Sequence, residues 1–258
     1  MIRELKVNQL HICVFPDKYQ LGKAAADQAE RIIKTAIDER GEAVVILATG
    51  ASQFEFLEAL IIRNIDWSKV TSFHLDEYVG IPETHPASFR KYLKDRILEK
   101  VDFGKYFLIN GECDDVEKEC RRLEEIFNKY TVDVAFTGIG ENGHLAFNDP
   151  PACFDDQLKF KVVNLDETSR KQQLGEGWFP TLEQVPARAI TMTIPSIMNS
   201  KAIICIVPDM RKAEAVKRTL INEISPWCPA SILRNHPNSH LFLDRKSAML
   251  LPESLLEK

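Results

Sequence analysis

Two nearly unbroken apolar runs limit what this chain can fold into. Residues 43–48 read AVVILA and residues 202–207 read AIICIV. A run without polar alternation has no face to give to water. Such runs suit parallel strands buried on both faces. Helical spacing precedes the first of these runs: Leu21, Ala25, Ala29, Ile32, Ile33 and Ile37 repeat at turns of a helix that Asp17 can cap and Gly41 can stop. Further strands are predicted at 11–16, 70–75, 106–110, 132–136, 160–165, 189–194 and 240–244. The strand at 160–165 reads as an outlier. Further helices are predicted at 53–63, 88–100, 114–129, 210–222 and, briefly, 229–234. The polar stretch 166–179 has two glycines and reads as a loop with some helix. Alternation of this kind predicts an α/β fold, a three-layer arrangement with a mostly parallel, modified Rossmann-like sheet and helices on both faces. No linker or repeat divides the chain, so residues 1–258 read as a single domain.

Charge and cysteine usage remove several classes of function. The net charge is −5 with both signs interspersed, which argues against nucleic acid as a partner. The six cysteines, at 13, 113, 120, 153, 205 and 228, form no CxxC and match no zinc spacing. They read as reduced thiols of a cytoplasmic protein. The N-terminal MIRELKVNQL lacks the apolar core of a signal peptide. The longest apolar runs fall far short of the roughly 20 residues of a membrane span. A small molecule is therefore the expected partner.

In open α/β sheets, ligands collect at the carboxyl ends of strands. Three unusual segments lie at such ends: 49–52 (TGAS), 76–78 (DEY) and 138–149 (GIGENGHLAFND). The last contains a literal GxGxxG, from Gly138 through Gly140 to Gly143. A dinucleotide fingerprint requires those glycines to open a helix. Here His144 follows at once and Pro150-Pro151 forbids a helix soon after. What remains is that Gly140 and its neighbours let backbone approach a ligand. His144 is either a hydrogen-bonded core histidine or a proton carrier near neutral pH, and its polar loop favours the second. Asp76 is either a turn residue or a general base for a carbon-bound proton. Glu77 beside it should point the other way. Thr49, Gly50, Ala51 and Ser52 form a strand-to-helix turn, with Ser52 as a candidate cap, and the same turn can cradle a phosphate. Lys212 is either a solvated lysine or a cation reaching that phosphate.

These motifs resemble glucosamine-6-phosphate deaminase/isomerase, a family that shares its fold with 6-phosphogluconolactonase. The resemblance spans nearly the whole chain. It rests on LATGAS at 47–52, FHLDEYVGIPETHPASF at 73–89, GIGENGHLAFNDPP at 138–151, the helix around Lys212 and PASILRNHP at 229–237. It implies conversion of glucosamine 6-phosphate and water to fructose 6-phosphate and ammonia. Carried over by position, His144 opens the pyranose ring, with Asn142 and Asp149 as its hydrogen-bonded relay. Asp76 moves a proton from C2 to C1. Residues 49–52 and Lys212 hold the 6-phosphate. No metal or organic cofactor is implied, and homo-oligomers are common among family members.

Several places depart from the family pattern. Asn142 stands where many members carry Asp, and can orient His144 without accepting its proton. Asp149 replaces a Glu and is one methylene shorter. The phosphate turn reads Thr49-Gly50-Ala51-Ser52-Gln53 in place of Thr-Gly-Gly-Thr-Pro. Glu176 falls near the place of a second phosphate-binding Arg, leaving Arg170 and Gln173 as candidates to take over. Two other readings compete: a sugar-phosphate lactonase on the same fold, and a sugar-phosphate sensor without turnover. The intact Asp76 and His144 speak against the sensor.

Overall fold

The computed structural model describes residues 1–256. Its strands are β1 (Arg3–Val7), β2 (Leu10–Phe15), β3 (Ala43–Leu47), β4 (Val70–His74), β5 (Asp76–Tyr78), β6 (Lys105–Tyr106), β7 (Val134–Thr137), β8 (Phe160–Asn164), β9 (Arg188–Met192), β10 (Ala202–Val207) and β11 (Ser239–Asp244). Its helices are α1 (Lys18–Arg40), α2 (Phe54–Leu60), α3 (Phe89–Leu93), α4 (Val116–Phe127), α5 (Glu167–Gly175), α6 (Ile194–Met198), α7 (Ala213–Ile221) and α8 (Glu253–Leu256). Eight strands form one sheet in the order β1-β2-β11-β10-β7-β3-β4-β6. Every pairing in it is parallel except β1 with β2.

The apolar runs behave as their lack of alternation requires. Every residue of β3 and of β10 is buried. Val45 and Leu47 join a core with α1 and α2, where Leu21, Ile33 and Phe56 pack. Val44 and Ile46 join the opposite core with Leu123 of α4 and Val216 of α7. The sheet is thus covered on both faces. Helix α1 has the predicted ends. Asp17 accepts a hydrogen bond from the Gln20 N–H at 2.9 Å, and Gly41 closes the helix at φ 80°. Among the described residues no helix is long and apolar enough to cross a membrane.

Strand order places the cleft. From β3 the chain proceeds outward to β4, on one side of the sheet. From β7, the neighbour of β3, it proceeds to β10 on the other side. Successive loops therefore diverge where β3 meets β7, and a crevice opens at their carboxyl ends.

Several details differ from the sequence reading. Residues 76–78 do not end β4. They form β5, which leaves the main sheet and joins β9 and β8 in a second, antiparallel sheet. Its strands are short, so sequence alternation does not distinguish them from extensions of the main sheet. Strand β1 leaves no apolar pattern in the sequence because it lies at an edge and is mostly exposed. Residues 166–179 contain a true helix, α5, which Asp166 caps by accepting from the Ser169 N–H at 2.6 Å. The predicted strand at 106–110 shrinks to two residues, and the helix at 88–100 splits into α3 and a wider π turn over Lys94–Leu98.

Glu77 points away from the cleft, as adjacent strand residues must. It is fully buried and accepts from Arg90 Nε at 3.0 Å, Ser88 Oγ at 2.9 Å and the Tyr78 N–H at 2.9 Å. Removing one partner of such a buried pair typically costs about 3–5 kcal/mol. This pair fastens β5 to α3 and so fixes where Asp76, on the other face, is aimed.

Candidate active site

The crevice is lined by loops from four adjacent strands. The turn after β3 supplies Thr49, Gly50, Ala51 and Ser52. Asp76 comes from beyond β4, Gly140 and His144 from the loop after β7, and Lys212 from the turn after β10. Gln172, Gln173 and Glu176, from α5 and its C-terminal end, close one side.

His144 is held from behind. Its Nδ1 lies 3.1 Å from Asp149 Oδ1 and 2.9 Å from Ser169 Oγ. Ser169 Oγ also donates to Asp149 Oδ1. Asp149 accepts further from Asn142 Nδ2 at 2.9 Å and from the Asp166 N–H at 3.2 Å. Burial opposes ionisation of Asp149. The hydrogen bonds from His144, Ser169 and Asn142 outweigh it and lower its pKa to about 2. An ionised Asp149 can only accept, so the neutral imidazole carries its proton on Nδ1 and turns an unprotonated Nε2 to the cleft.

Asn142 does not touch the imidazole. Its Oδ1 accepts from the His144 backbone N–H at 3.0 Å, while its Nδ2 donates to Asp149 and, at 3.1 Å, to Asp166 Oδ2. The expected orienting role is therefore indirect, through Asp149. A carboxylate at 142 would face two others. The amide is the group that satisfies both.

Asp76 begins β5 and is 7% exposed. Burial first, and the neighbouring Glu77 second, push its carboxyl well above the usual carboxylate range. A poorly solvated carboxylate is a stronger base than one in water, which suits abstraction of a carbon-bound proton.

Gly140 has a different part from the one its sequence position implied. Its N–H donates to the His144 carbonyl at 3.0 Å and is not free for a ligand. A Cβ built on Gly140 would sit 2.2 Å from His144 Cε1 and Nε2. The glycine is required because the imidazole lies flat against its backbone. Gly140→Ala is expected to lower kcat at least tenfold by displacing the ring. It should do so without loss of the folded state, and steady-state assay beside circular dichroism checks both.

Lys212 is 6% exposed, and Glu176 Oε1 lies 3.8 Å from its Nζ. Burial lowers the pKa of its ammonium and Glu176 opposes that shift. Lys212 is therefore not the solvated lysine that its position alone allows. Ser52 does not cap a helix. The chain enters a 3₁₀ turn over Ala51–Gln53, and Ser52 Oγ accepts from Gln53 Nε2 at 3.0 Å. Arg170 is not brought to the cleft. Its Nη2 donates to the carbonyls of Leu182 at 2.6 Å and Val185 at 3.0 Å, tying down the chain that follows α5. Gln173, one helical step away, does face the cleft.

The sequence as a whole matches the glucosamine-6-phosphate isomerase/6-phosphogluconolactonase family over residues 16–242. The chain belongs to that family. A glucosamine-6-phosphate deaminase of Listeria monocytogenes is 38% identical over 228 residues, covering 88% of this chain and 96% of the relative. One from an Exiguobacterium species is 38% identical over 234 residues, covering 89% of this chain and 91% of its own. Among solved structures, a monomeric glucosamine-6-phosphate deaminase superposes with a TM-score of 0.84 at 33% identity, covering 93% of this chain and 99% of that one. A 6-phosphogluconolactonase from Shewanella baltica has the same fold, with a TM-score of 0.76 at 18% identity.

Ser169, Asp166 and Gln172 lie outside the three polar segments that the sequence singles out at strand ends. Ser169 bonds both His144 and Asp149, and Gln172 Oε1 accepts from the Glu141 N–H at 2.9 Å. One local signal was available. Asp166 with Glu167 directly after it, a capping residue followed by an acidic first turn, is a helix-start pattern that puts Ser169 in the first turn of a helix.

Proposed function

We propose that this protein converts glucosamine 6-phosphate and water to fructose 6-phosphate and ammonia. The reading is carried by one observation: a buried, basic carboxylate and a histidine held by an ionised aspartate share one cleft. The relatives at 38% identity bear the name of that activity.

Each residue has a task that its surroundings favour. Nε2 of His144 takes the proton of the O1 hydroxyl and returns a proton to the ring oxygen, which opens the pyranose. Asp76 then takes the proton from C2, the electron pair forms the C1–C2 double bond, and O1 takes a proton from the C2 ammonium, giving an enolamine. The same carboxyl returns a proton to C1, leaving an imine at C2. Water adds to that imine and ammonia leaves. The backbone of 49–52, with Lys212 and Gln173, holds the 6-phosphate at the far end. A substrate anchored there presents C1 and C2 between Asp76 and His144, which turns binding energy into orientation.

The test is ammonia release from glucosamine 6-phosphate and galactosamine 6-phosphate, run beside hydrolysis of 6-phosphogluconolactone. Ammonia released from glucosamine 6-phosphate with formation of fructose 6-phosphate is the expected result. Lactone hydrolysis without ammonia release from either amino sugar overturns the proposal.

A further inference from the structure

The cleft ends on a carboxylate. Glu176 has a side chain 6% exposed, and it faces the buried Lys212. Two donors fix it there. Gln172 Nε2 donates to Oε1 at 2.9 Å and Trp178 Nε1 donates to Oε2 at 3.1 Å. Trp178 packs edge-on against Phe54 and Tyr92. The Tyr92 hydroxyl in turn donates to the Gly50 carbonyl at 2.9 Å. One set of contacts therefore anchors both the carboxylate and the turn at 49–52. A Cβ on Gly50 would stand 4.0 Å from Glu176 Oε2.

This arrangement conflicts with a simple anion pocket. The cation at its end already has a counter-ion, so the pair is neutral before any ligand arrives. A phosphate dianion bound to Lys212 would add two negative charges beside a carboxylate held in a poorly solvated place, where repulsion is strong. At 3.8 Å, the Lys212–Glu176 contact is longer than a hydrogen bond. The ammonium donors thus stay available to an incoming oxygen.

We propose that Glu176 is the counter-ion that phosphate displaces from Lys212, and that its charge sets how strongly this end of the cleft holds phosphate. The proposal rests on the reading of Lys212 and residues 49–52 as the phosphate end. Glu176 then serves two purposes. It keeps the buried ammonium charged while the cleft is empty, and it weakens retention of phosphorylated substrate and product alike.

The decisive variant is Glu176→Gln, which keeps the shape and removes the charge. Binding of inorganic phosphate, measured by calorimetry at fixed ionic strength, should tighten about tenfold relative to the unaltered protein. The KM for glucosamine 6-phosphate should fall in parallel. Unchanged or weaker phosphate binding overturns the proposal. If Glu176→Gln does not fold, Trp178→Phe is read the same way. It frees the carboxylate without removing its charge, and should tighten phosphate about threefold. Phosphate binding needs no turnover. A protein that releases no ammonia from glucosamine 6-phosphate overturns the functional reading alone, and phosphate that fails to tighten overturns the Glu176 assignment alone.

Discussion

Asp76→Asn lowers kcat on glucosamine 6-phosphate by about a thousandfold or more and stops exchange of the C2 hydrogen with solvent. The amide is isosteric, so the cleft keeps its shape and substrate still binds. What disappears is the lone pair that accepts the carbon-bound proton. The environment of Asp76 also predicts the pH dependence. Burial, and then Glu77, raise its pKa above the ordinary carboxylate range. The base works only when ionised, so activity should fall with decreasing pH through a limb that lies above that range. In Asp76→Asn this limb should vanish from whatever activity remains. The stability consequence has the opposite sign. A carboxyl whose folded pKa exceeds its unfolded value of about 3.9 contributes stability below that value and loses it as pH rises through the folded one. At neutral pH an ionised Asp76 is therefore a burden to the fold, and Asn should raise the melting temperature. Full C2 exchange in the variant, followed by deuterium incorporation, would remove Asp76 from the role of base.

The parts of this molecule that could be read from sequence are those whose signal is local. Strands β3 and β10 declare themselves because burial on both faces leaves no polar alternation. Helix α1 declares itself through spacing, a capping Asp17 and a terminating Gly41. His144 and Asp76 stand in polar segments at strand ends, where parallel topology alone draws attention. The second sheet gave no such signal. Strand β5 has three residues, and its partner β9 lies more than a hundred residues away in the chain. Pairing over that separation leaves no pattern in either segment. Helix α5 hid for another reason. It is polar almost throughout, because its inward residues, Ser169, Gln172 and Gln173, face a polar cleft and not an apolar core. The amphipathic stripe that marks most surface helices is absent. Arg170 illustrates the same limit. Sequence placed it correctly on the segment that closes the cleft, but which face of α5 meets the ligand is decided by Ser169 reaching His144 and Asp149. Once Ser169 points inward, Arg170 must point elsewhere.

His144→Gln should slow turnover of the cyclic substrate by about a hundredfold, while an open-chain analogue bearing the same phosphate loses much less. The argument rests on which nitrogen is free. Asp149 and Ser169 together hold Nδ1, and the pKa of Asp149, about 2, keeps that carboxylate ionised across the working range. The proton is therefore confined to the Nδ1 side, and Nε2 is left as the exchangeable site. Gly140 lies against the face of the ring at that end and, lacking a Cβ, leaves it room. Glutamine can fill much of the space and keep a hydrogen bond to Asp149, but its amide does not exchange a proton with a sugar oxygen near neutral pH. Ring opening needs two proton movements, one from O1 and one to the ring oxygen, and both are lost. An aldehyde that is already open skips that step and proceeds to Asp76. The ratio of the two rates is what separates a ring-opening histidine from one that only shapes the cleft. Equal losses on cyclic and open-chain substrates would assign His144 to positioning, and would leave proton transfer at the ring oxygen to another group or to water.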